Sequence, residues 1–391
     1  MANVILRRGA HQRIQSGHPW LFKSEVDHVE GDYQAGDIVN VITGKGRFLG
    51  RGFINPRSQI IVRMLTNKQE EVDTTFIRNK IEAAWHYRQQ ILQEPEYCRL
   101  IFGEADFLPG LIVDKFGDYL VVQTLALGMD IRMDVILEVL EAIFSPIGIY
   151  ERNDVRVREL EGLRQRTGYL KGEFSTLLTV FENGLPFYAD IAEGQKTGFF
   201  YDQRENRQTL AALVKDARVL DCFCHTGSFA IHAAKFGARE VFASDISEAA
   251  ITLAEKNIEL NGVQDIVRLQ AANAFDLLRE LTEAREQFDV VILDPPAFAK
   301  SKGALEGAAR GYKEINLRGL RLLKNGGFLV TCSCSYHMDE NLFLAIVQDA
   351  AEDVGRKIRL VEYRTQAKDH PILLSAPETK YLKFLVVQVL D

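Results

Sequence analysis

From about residue 189 onward, apolar runs of six or seven residues alternate with stretches patterned as helices. The runs are Arg218-Val-Leu-Asp-Cys-Phe, Glu240-Val-Phe-Ala-Ser-Asp, Ile266-Val-Arg-Leu-Gln-Ala, Phe288-Asp-Val-Val-Ile-Leu-Asp and Gly327-Phe-Leu-Val-Thr-Cys. Between the second and third, residues 247–260 carry a helical pattern that Asn261-Gly262 closes as a helix stop. Strand–helix alternation of this kind predicts parallel pairing, because a parallel neighbour is reached only through a crossover. The result is a doubly wound, Rossmann-like sheet, which binds ligands outside the carboxyl ends of its strands. Residues 189–391 are read as one such α/β domain.

The part before residue 189 is built differently, and 391 residues exceed one ordinary domain. Residues 1–66 hold short β-type runs split by turns, such as Asp37-Ile-Val-Asn-Val-Ile and Gln59-Ile-Ile-Val-Arg-Met-Leu, which predicts a small β-barrel. A helix over 74–93, with Thr74 as its cap, bridges out of it. Residues 67–188 then read as a bridging helix and a central α+β domain. They contain a hairpin turning at Phe116-Gly117-Asp118, a helix over 134–144 and a strand from Ile147. With 47% hydrophobic and 26% charged residues, each part has enough apolar side chains for a core. No apolar run approaches the roughly 18 to 20 residues of a membrane helix, and the start turns charged too early for a secretory signal. Five cysteines, an odd number in a long chain, argue against a disulfide framework. A soluble protein of a reducing cytoplasm is expected.

A net charge of −7 speaks against nucleic acid only as a global sum. Residues 1–66 hold nine basic and five acidic side chains, a local +4. A basic module on an acidic body permits RNA binding and does not require it.

Chemistry gathers at the strand ends. The first run leads through Asp221-Cys-Phe-Cys-His-Thr-Gly227 into a helix, and Gly227 is where backbone can approach a ligand closely. The second run ends in Asp245, where a carboxylate can accept both hydroxyls of a ribose. Asp221 could hold an ammonium group; an aspartate there is also a common helix cap. A dinucleotide site would carry Gly-x-Gly-x-x-Gly, whereas a nucleoside without phosphates, such as S-adenosylmethionine, asks for less. Asn273, after the third run, is either an adenine contact or a turn residue. The fourth run ends Asp294-Pro-Pro-Ala-Phe298, where two prolines stiffen the loop. That loop can present Asp294 and the Phe298 ring to a base taken out of its stack. Lys300, Lys302, Arg310 and Lys313 follow around three glycines, as a phosphate-contacting flap or a solvated loop. The last run ends in Cys332 and Cys334, thiols placed for chemistry or small residues closing a core edge. Cys-x-Cys at 222 and 332 invites a zinc reading, but zinc sites usually use Cys-x₂₋₄-Cys, and the Asp294 strand should separate the two pairs. No metal is expected.

The stretch from Asp221 to Gly227, with Asp245, Asp294-Pro-Pro-Ala-Phe and Ser333-Cys334-Ser335, resembles the RlmI-like family of bacterial 23S rRNA 5-methylcytidine methyltransferases. His18-Pro-Trp-Leu-Phe, 103–114, Lys196-Thr-Gly-Phe-Phe-Tyr-Asp-Gln-Arg and Arg310-Gly-Tyr-Lys extend the resemblance over the whole chain. It implies an N-terminal PUA domain and S-adenosylmethionine as cofactor. It also implies that Asp221, Phe223, Thr226, Gly227, Asp245, Asn273 and Asp294 hold that cofactor. Phe298, Lys300, Arg310 and Lys313 would meet the RNA. The partner implied is 23S rRNA, naked or in a large-subunit particle, with no membrane and with room for a homodimer.

Carbon 5 of cytosine is a poor nucleophile until a thiolate adds at carbon 6. Cys334 matches the Ser-Cys-Ser position and is assigned that role, with Cys332 in reserve and Asp294 as a candidate base. A thiol of ordinary pKa is only a few per cent ionised at pH 7, so a basic surround is expected. The rivals are N-methylation of guanine, which needs no thiol, and a non-catalytic RNA-binding assembly factor.

Overall fold

A computed structural model describes residues 1–299 and 301–390, and the chain forms two compact units. The first comprises residues 1–180, 189–201 and 368–379; the second comprises 181–188, 202–367 and 380–391. The segments 1–66 and 67–180 thus lie in one unit, where the sequence reads two domains, and 368–379 belongs with them.

In the first unit a six-stranded sheet runs in the order Trp20–Phe22, Ile60–Thr66, Phe48–Ile54, Ile38–Thr43, Asn3–Leu6, Val26–Glu30. The expected small β-barrel is this sheet, curled into a half-barrel whose two outer strands do not pair with each other among the described residues. Register shifts fall at Val41/Ile42 and Arg51/Gly52, and such bulges bend a strand and sharpen its twist. Gly52 is required at that bend, since a Cβ there would stand 2.2 Å from the Arg63 carbonyl oxygen. The helix Thr74–Ile91 is capped by Asp73, whose Oδ1 accepts the Phe76 N–H at 2.8 Å, and not by Thr74. Its buried face, Phe76, Ile77, Ile81 and Ala84, packs in a core with Leu111, Val113, Leu120 and Val122 of a five-stranded sheet. That sheet holds Leu111–Phe116 and Tyr119–Thr124 as the expected hairpin.

The second unit is a seven-stranded sheet. Its strands, in chain order, are β1 (Arg218–Cys222), β2 (Glu240–Asp245), β3 (Val267–Ala271), β4 (Phe288–Leu293), β5 (Leu323–Ser333), β6 (Ile358–Arg364) and β7 (Lys383–Val389). In the sheet they stand 3-2-1-4-5-7-6. The pairs among β1 to β5 are parallel, whereas β7 runs antiparallel to both β5 and β6. The helices α1 (Ser228–Lys235), α2 (Glu248–Asn261), α3 (Ala274–Glu283), α4 (Leu305–Arg321) and α5 (Glu340–Asp353) follow β1 to β5 in turn. Ser247 caps α2 and Gly262 ends it in the left-handed region at φ 64°, as the sequence predicts. Residues 324–327 form an irregularity within β5, where pairing jumps from Phe288–Leu323 to Val290–Phe328. Strand order reverses at β1, so the crevice between the carboxyl ends of β1 and β4 is the topological switch point.

Candidate functional site

The turn leaving β1 is backbone held under strain. Phe223, His225 and Gly227 have φ of 64°, 50° and 82°, and two of the three are not glycine. Asp245, at the end of β2, fixes this turn: its Oδ2 accepts the His225 N–H at 3.0 Å and its Oδ1 accepts the Ser247 N–H at 2.9 Å. Each oxygen keeps a lone pair for a ligand hydroxyl. Gly227 begins α1, and a Cβ there would stand 3.4 Å from that of Ala254 on α2. Thr226 is buried, and its carbonyl accepts from Asn257 at 3.1 Å; Phe223 is half-buried.

Asp221 is the least ordinary residue of the unit. It is fully buried, and neither carboxylate oxygen has a hydrogen-bond partner of normal geometry among the described residues. Burial raises its pKa well above the carboxylate range and the charges of Asp294 and Asp245 add to this, while the Ala230 N–H and Arg207 pull the other way. A buried carboxyl beside two others, favoured in its ionised form only by the Ala230 N–H and the Arg207 charge, suits a cationic ligand. S-adenosylmethionine brings an ammonium and a sulfonium, and the residues present fit it. Asp221 would take the ammonium, Asp245 the ribose, and Ile246, an apolar side chain 70% exposed just beyond β2, offers a face to the adenine. Asn273 caps α3, its Oδ1 accepting the Phe275 N–H at 2.9 Å, which leaves its amide NH₂ to donate.

Across the crevice, Asp294 leaves β4 half-buried, and its Oδ2 accepts from Gln203 Nε2 at 3.0 Å. Gln203 is itself held by Asn206, which donates to its Oε1 at 2.7 Å. Pro295 turns its carbonyl to the Cys334 thiol, with Sγ at 3.8 Å. Cys334 lies one residue past β5 and is half-buried, near enough to Cys332 to interact with it through charge. Cys332 is fully buried, and burial with the Asp294 charge pushes its thiol well up. The same holds at β1, where the Cys222 thiol is pushed up to about 12 by burial and then by Asp221.

Two groups that sequence reasoning missed hold the Cys334 backbone. The first is a hydroxyl knot. Ser333 Oγ donates to Tyr312 Oη at 3.0 Å, that hydroxyl meets Ser335 Oγ at 3.0 Å, and Ser335 Oγ accepts the Ala299 N–H at 3.1 Å. The second is Lys383, which stands opposite Ser333 at the start of β7 and is 4% exposed. Its ammonium donates to the carbonyls of Ser335 at 2.7 Å and Tyr381 at 2.8 Å. Burial lowers its pKa to about 8, against the attraction of Cys334 and Asp339.

Phe298 lies against the buried Tyr312, ring centroids 4.6 Å apart, with Phe275 at 6.0 Å and Phe223 at 6.5 Å, so the four rings form one aromatic cluster packed on the core. Arg310 and Lys313 stand on α4 and not on a flap. Arg310, 72% exposed, pairs with Glu306 at 2.5 Å, and Lys313 pairs with Asp353 at 2.9 Å. Lys300 lies outside the described residues.

Residues 162–384 match the S-adenosylmethionine-dependent methyltransferase family and residues 4–67 match the PUA-like domain family. In structure the chain resembles SMU.776, a methyltransferase crystallised in complex with SAH, with TM-score 0.86 and 19% identity over 100% of both chains. It resembles a SAM-dependent methyltransferase from Streptococcus mutans to the same extent, with TM-score 0.85 at 19% identity and the same full coverage. At that identity the likeness speaks for the fold. In sequence it is 42% identical to the ribosomal RNA large subunit methyltransferase I of Aeromonas hydrophila subsp. hydrophila, over 99% of each chain. Fold and site therefore define an S-adenosylmethionine-dependent methyltransferase that carries a PUA-like domain. Within that class, the chain belongs to the ribosomal RNA large subunit methyltransferase I family.

Proposed function

We propose that this methyltransferase makes 5-methylcytidine in 23S rRNA, in the cytoplasm, through a covalent bond between Cys334 and carbon 6 of the cytosine. The Aeromonas relative's name supplies the substrate class. The reading is carried by one observation: a half-buried thiol at the end of β5, touching the Pro295 loop that leaves β4 at the switch point. When bound, S-adenosylmethionine supplies an electrophilic methyl group. The work of the chain is to make a nucleophile for it. The Cys334 thiolate adds to carbon 6, and the electron pair of the 5,6 double bond becomes available at carbon 5. After carbon 5 has gained its methyl group, a base removes the proton that carbon 5 still carries. That electron pair restores the double bond and expels the sulfur as thiolate. Asp294, oriented by Gln203, is the base we assign. The carboxyl cluster of Asp221, Asp245 and Asp294 favours a cationic donor over an anionic dinucleotide. Mass mapping of the methylated nucleotide, on naked rRNA and on large-subunit particles, tests the product. Cys334→Ala is expected to abolish methyl transfer while S-adenosylmethionine still binds. Persistent transfer, or a methylated guanine, would refute the covalent route.

A further inference from the structure

Lys383 is a buried cation with an incomplete set of partners. An ammonium has three N–H donors; two of them reach the carbonyls of Ser335 and Tyr381, and no ion pair joins Lys383 to a carboxylate among the described residues. The Ser335 carbonyl belongs to the residue directly after Cys334, and Cys334 and Lys383 are near enough to interact through charge. Across the antiparallel β5–β7 ladder Lys383 pairs with Ser333, so it starts on the Ser333 face and reaches the chain beyond the strand end through the Ser335 carbonyl. A strand of the form Lys-Phe-Leu-Val-Val-Gln-Val has no packing use for a lysine in its buried first position. A methionine would fill that space without desolvating a charge.

The charged and titratable groups that act on Lys383 are Cys334 and Asp339, which favour its ammonium, and Lys380, which opposes it. Lys380 is itself neutralised by Glu340, 3.0 Å away on α5. Around Cys334 stand the Tyr312 hydroxyl and the Cys332 thiol, both with pKa values raised, so neither is an anion near neutral pH. The Asp294 carboxyl, which acts on Cys332 as Cys334 does, is the one of these groups whose charge opposes a thiolate.

We propose that Lys383 is the counter-cation of the Cys334 thiolate, a positioning residue that keeps the sulfur ionised for its addition to the base. This rests on the reading of Cys334 as nucleophile. In the step concerned the S–H bond breaks, the proton leaves to water, and the sulfur keeps the electron pair. Lys383 retains its three protons and turns its third N–H to the new anion. The arrangement supplies the basic surround that a cytosine-activating thiol requires, from β7 instead of from a neighbouring histidine.

The test is the pH dependence of Cys334 alkylation by iodoacetamide, read at that cysteine by mass spectrometry on the full chain. The unmodified protein is expected to show a midpoint below that of a free thiol. A midpoint at or above the free-thiol value overturns the proposal without any variant. Lys383→Met is expected to raise the midpoint by about one unit or more, on the order of a tenfold loss of alkylation rate at pH 7. Lys383→Arg should hold it near the original value. Methyl transfer by Lys383→Met should fall in parallel, with its rise shifted to higher pH and S-adenosylmethionine affinity unchanged. An unmoved midpoint in a folded Lys383→Met protein refutes the pairing. Full activity of Cys334→Ala would refute the nucleophile assignment instead, so the two failures are told apart.

Discussion

At Asp221 one side chain sets binding against stability. Its carboxyl is held protonated to higher pH than an ordinary aspartate by burial and by Asp294 and Asp245. A ligand ammonium binds the carboxylate and not the acid, so affinity for S-adenosylmethionine is expected to rise with pH until Asp221 ionises unaided. Stability of the ligand-free protein runs the other way. A folded pKa above the unfolded one means that the folded chain holds the proton more tightly. The contribution of Asp221 is then fully favourable below the unfolded carboxyl pKa and is lost as pH rises through the folded one. Asp221→Asn keeps the shape and removes the charge. Above the folded Asp221 pKa, where the parent carries a buried charge, it should stabilise the ligand-free protein by about 1–3 kcal/mol. It should also weaken S-adenosylmethionine binding by at least about tenfold, roughly 1.4 kcal/mol, and flatten the pH dependence of affinity. Urea melts and calorimetric titrations, run as a pH series upward from the ordinary carboxyl range, read both effects. A variant that binds as well as the parent at every pH would remove Asp221 from the ammonium site.

The elements show which parts of this site a linear sequence exposes. The strand-end carboxylates Asp221, Asp245 and Asp294 are legible because each closes an apolar run, and a parallel sheet brings such ends to one edge. The α4 region was not legible. Gly303, Gly307 and Gly311 read as loop, yet Ala308, Tyr312, Ile315 and Leu320 lie at helical spacing on the buried side. A Cβ at Gly303 or Gly307 would meet nothing within 4 Å, so glycine there costs only its propensity, whereas at Gly311 it would meet Phe298 at 3.3 Å. Only a short 3₁₀ turn, Pro377–Thr379, lies between β6 and β7, so β7 and its Lys383 lack the strand–helix alternation that marks the others. The Tyr312 hydroxyl meets serines 21 and 23 residues away, a separation that no local pattern reports. Tyr312→Phe tests that knot. Two buried serine hydroxyls lose a shared partner, and destabilisation of about 1–3 kcal/mol is expected. Methyl transfer should drop further than stability alone requires, because the residues flanking Cys334 are released. A urea melt beside single-turnover methylation separates the two, and equal losses in both would leave the knot a structural role only.

For the molecule as a whole, charge is distributed unevenly, and the distribution carries the RNA argument. The net −7 less the +4 of residues 1–66 leaves −11 on residues 67–391, so the N-terminal module is where basic side chains are in excess. Within that module Arg7, Arg8, His11, Lys45 and Arg47 line one depression of about 460 Å³, and no acidic residue lines it. The depression lies between the end of the first strand, Asn3–Leu6, and the turn joining Ile38–Thr43 to Phe48–Ile54. Arg8, Lys45 and Arg47 are exposed and Arg7 reaches back to the Val26 carbonyl at 3.0 Å, so the first three are free to meet phosphates. Each phosphate contact made by a cation releases counterions, about 0.7 per contact on single-stranded RNA. Replacing Arg8, Lys45 and Arg47 together by alanine should therefore lower the slope of log affinity against log salt by about 2. The loss should appear equally on any RNA sequence, because phosphates carry no base identity. Surface substitutions at exposed sites leave folding within about 0.5 kcal/mol each, and S-adenosylmethionine affinity should not move. Filter binding of an rRNA fragment from 50 to 300 mM salt measures the slope. A slope identical to that of the parent would assign the electrostatic grip to another surface and leave the PUA-like module a different task.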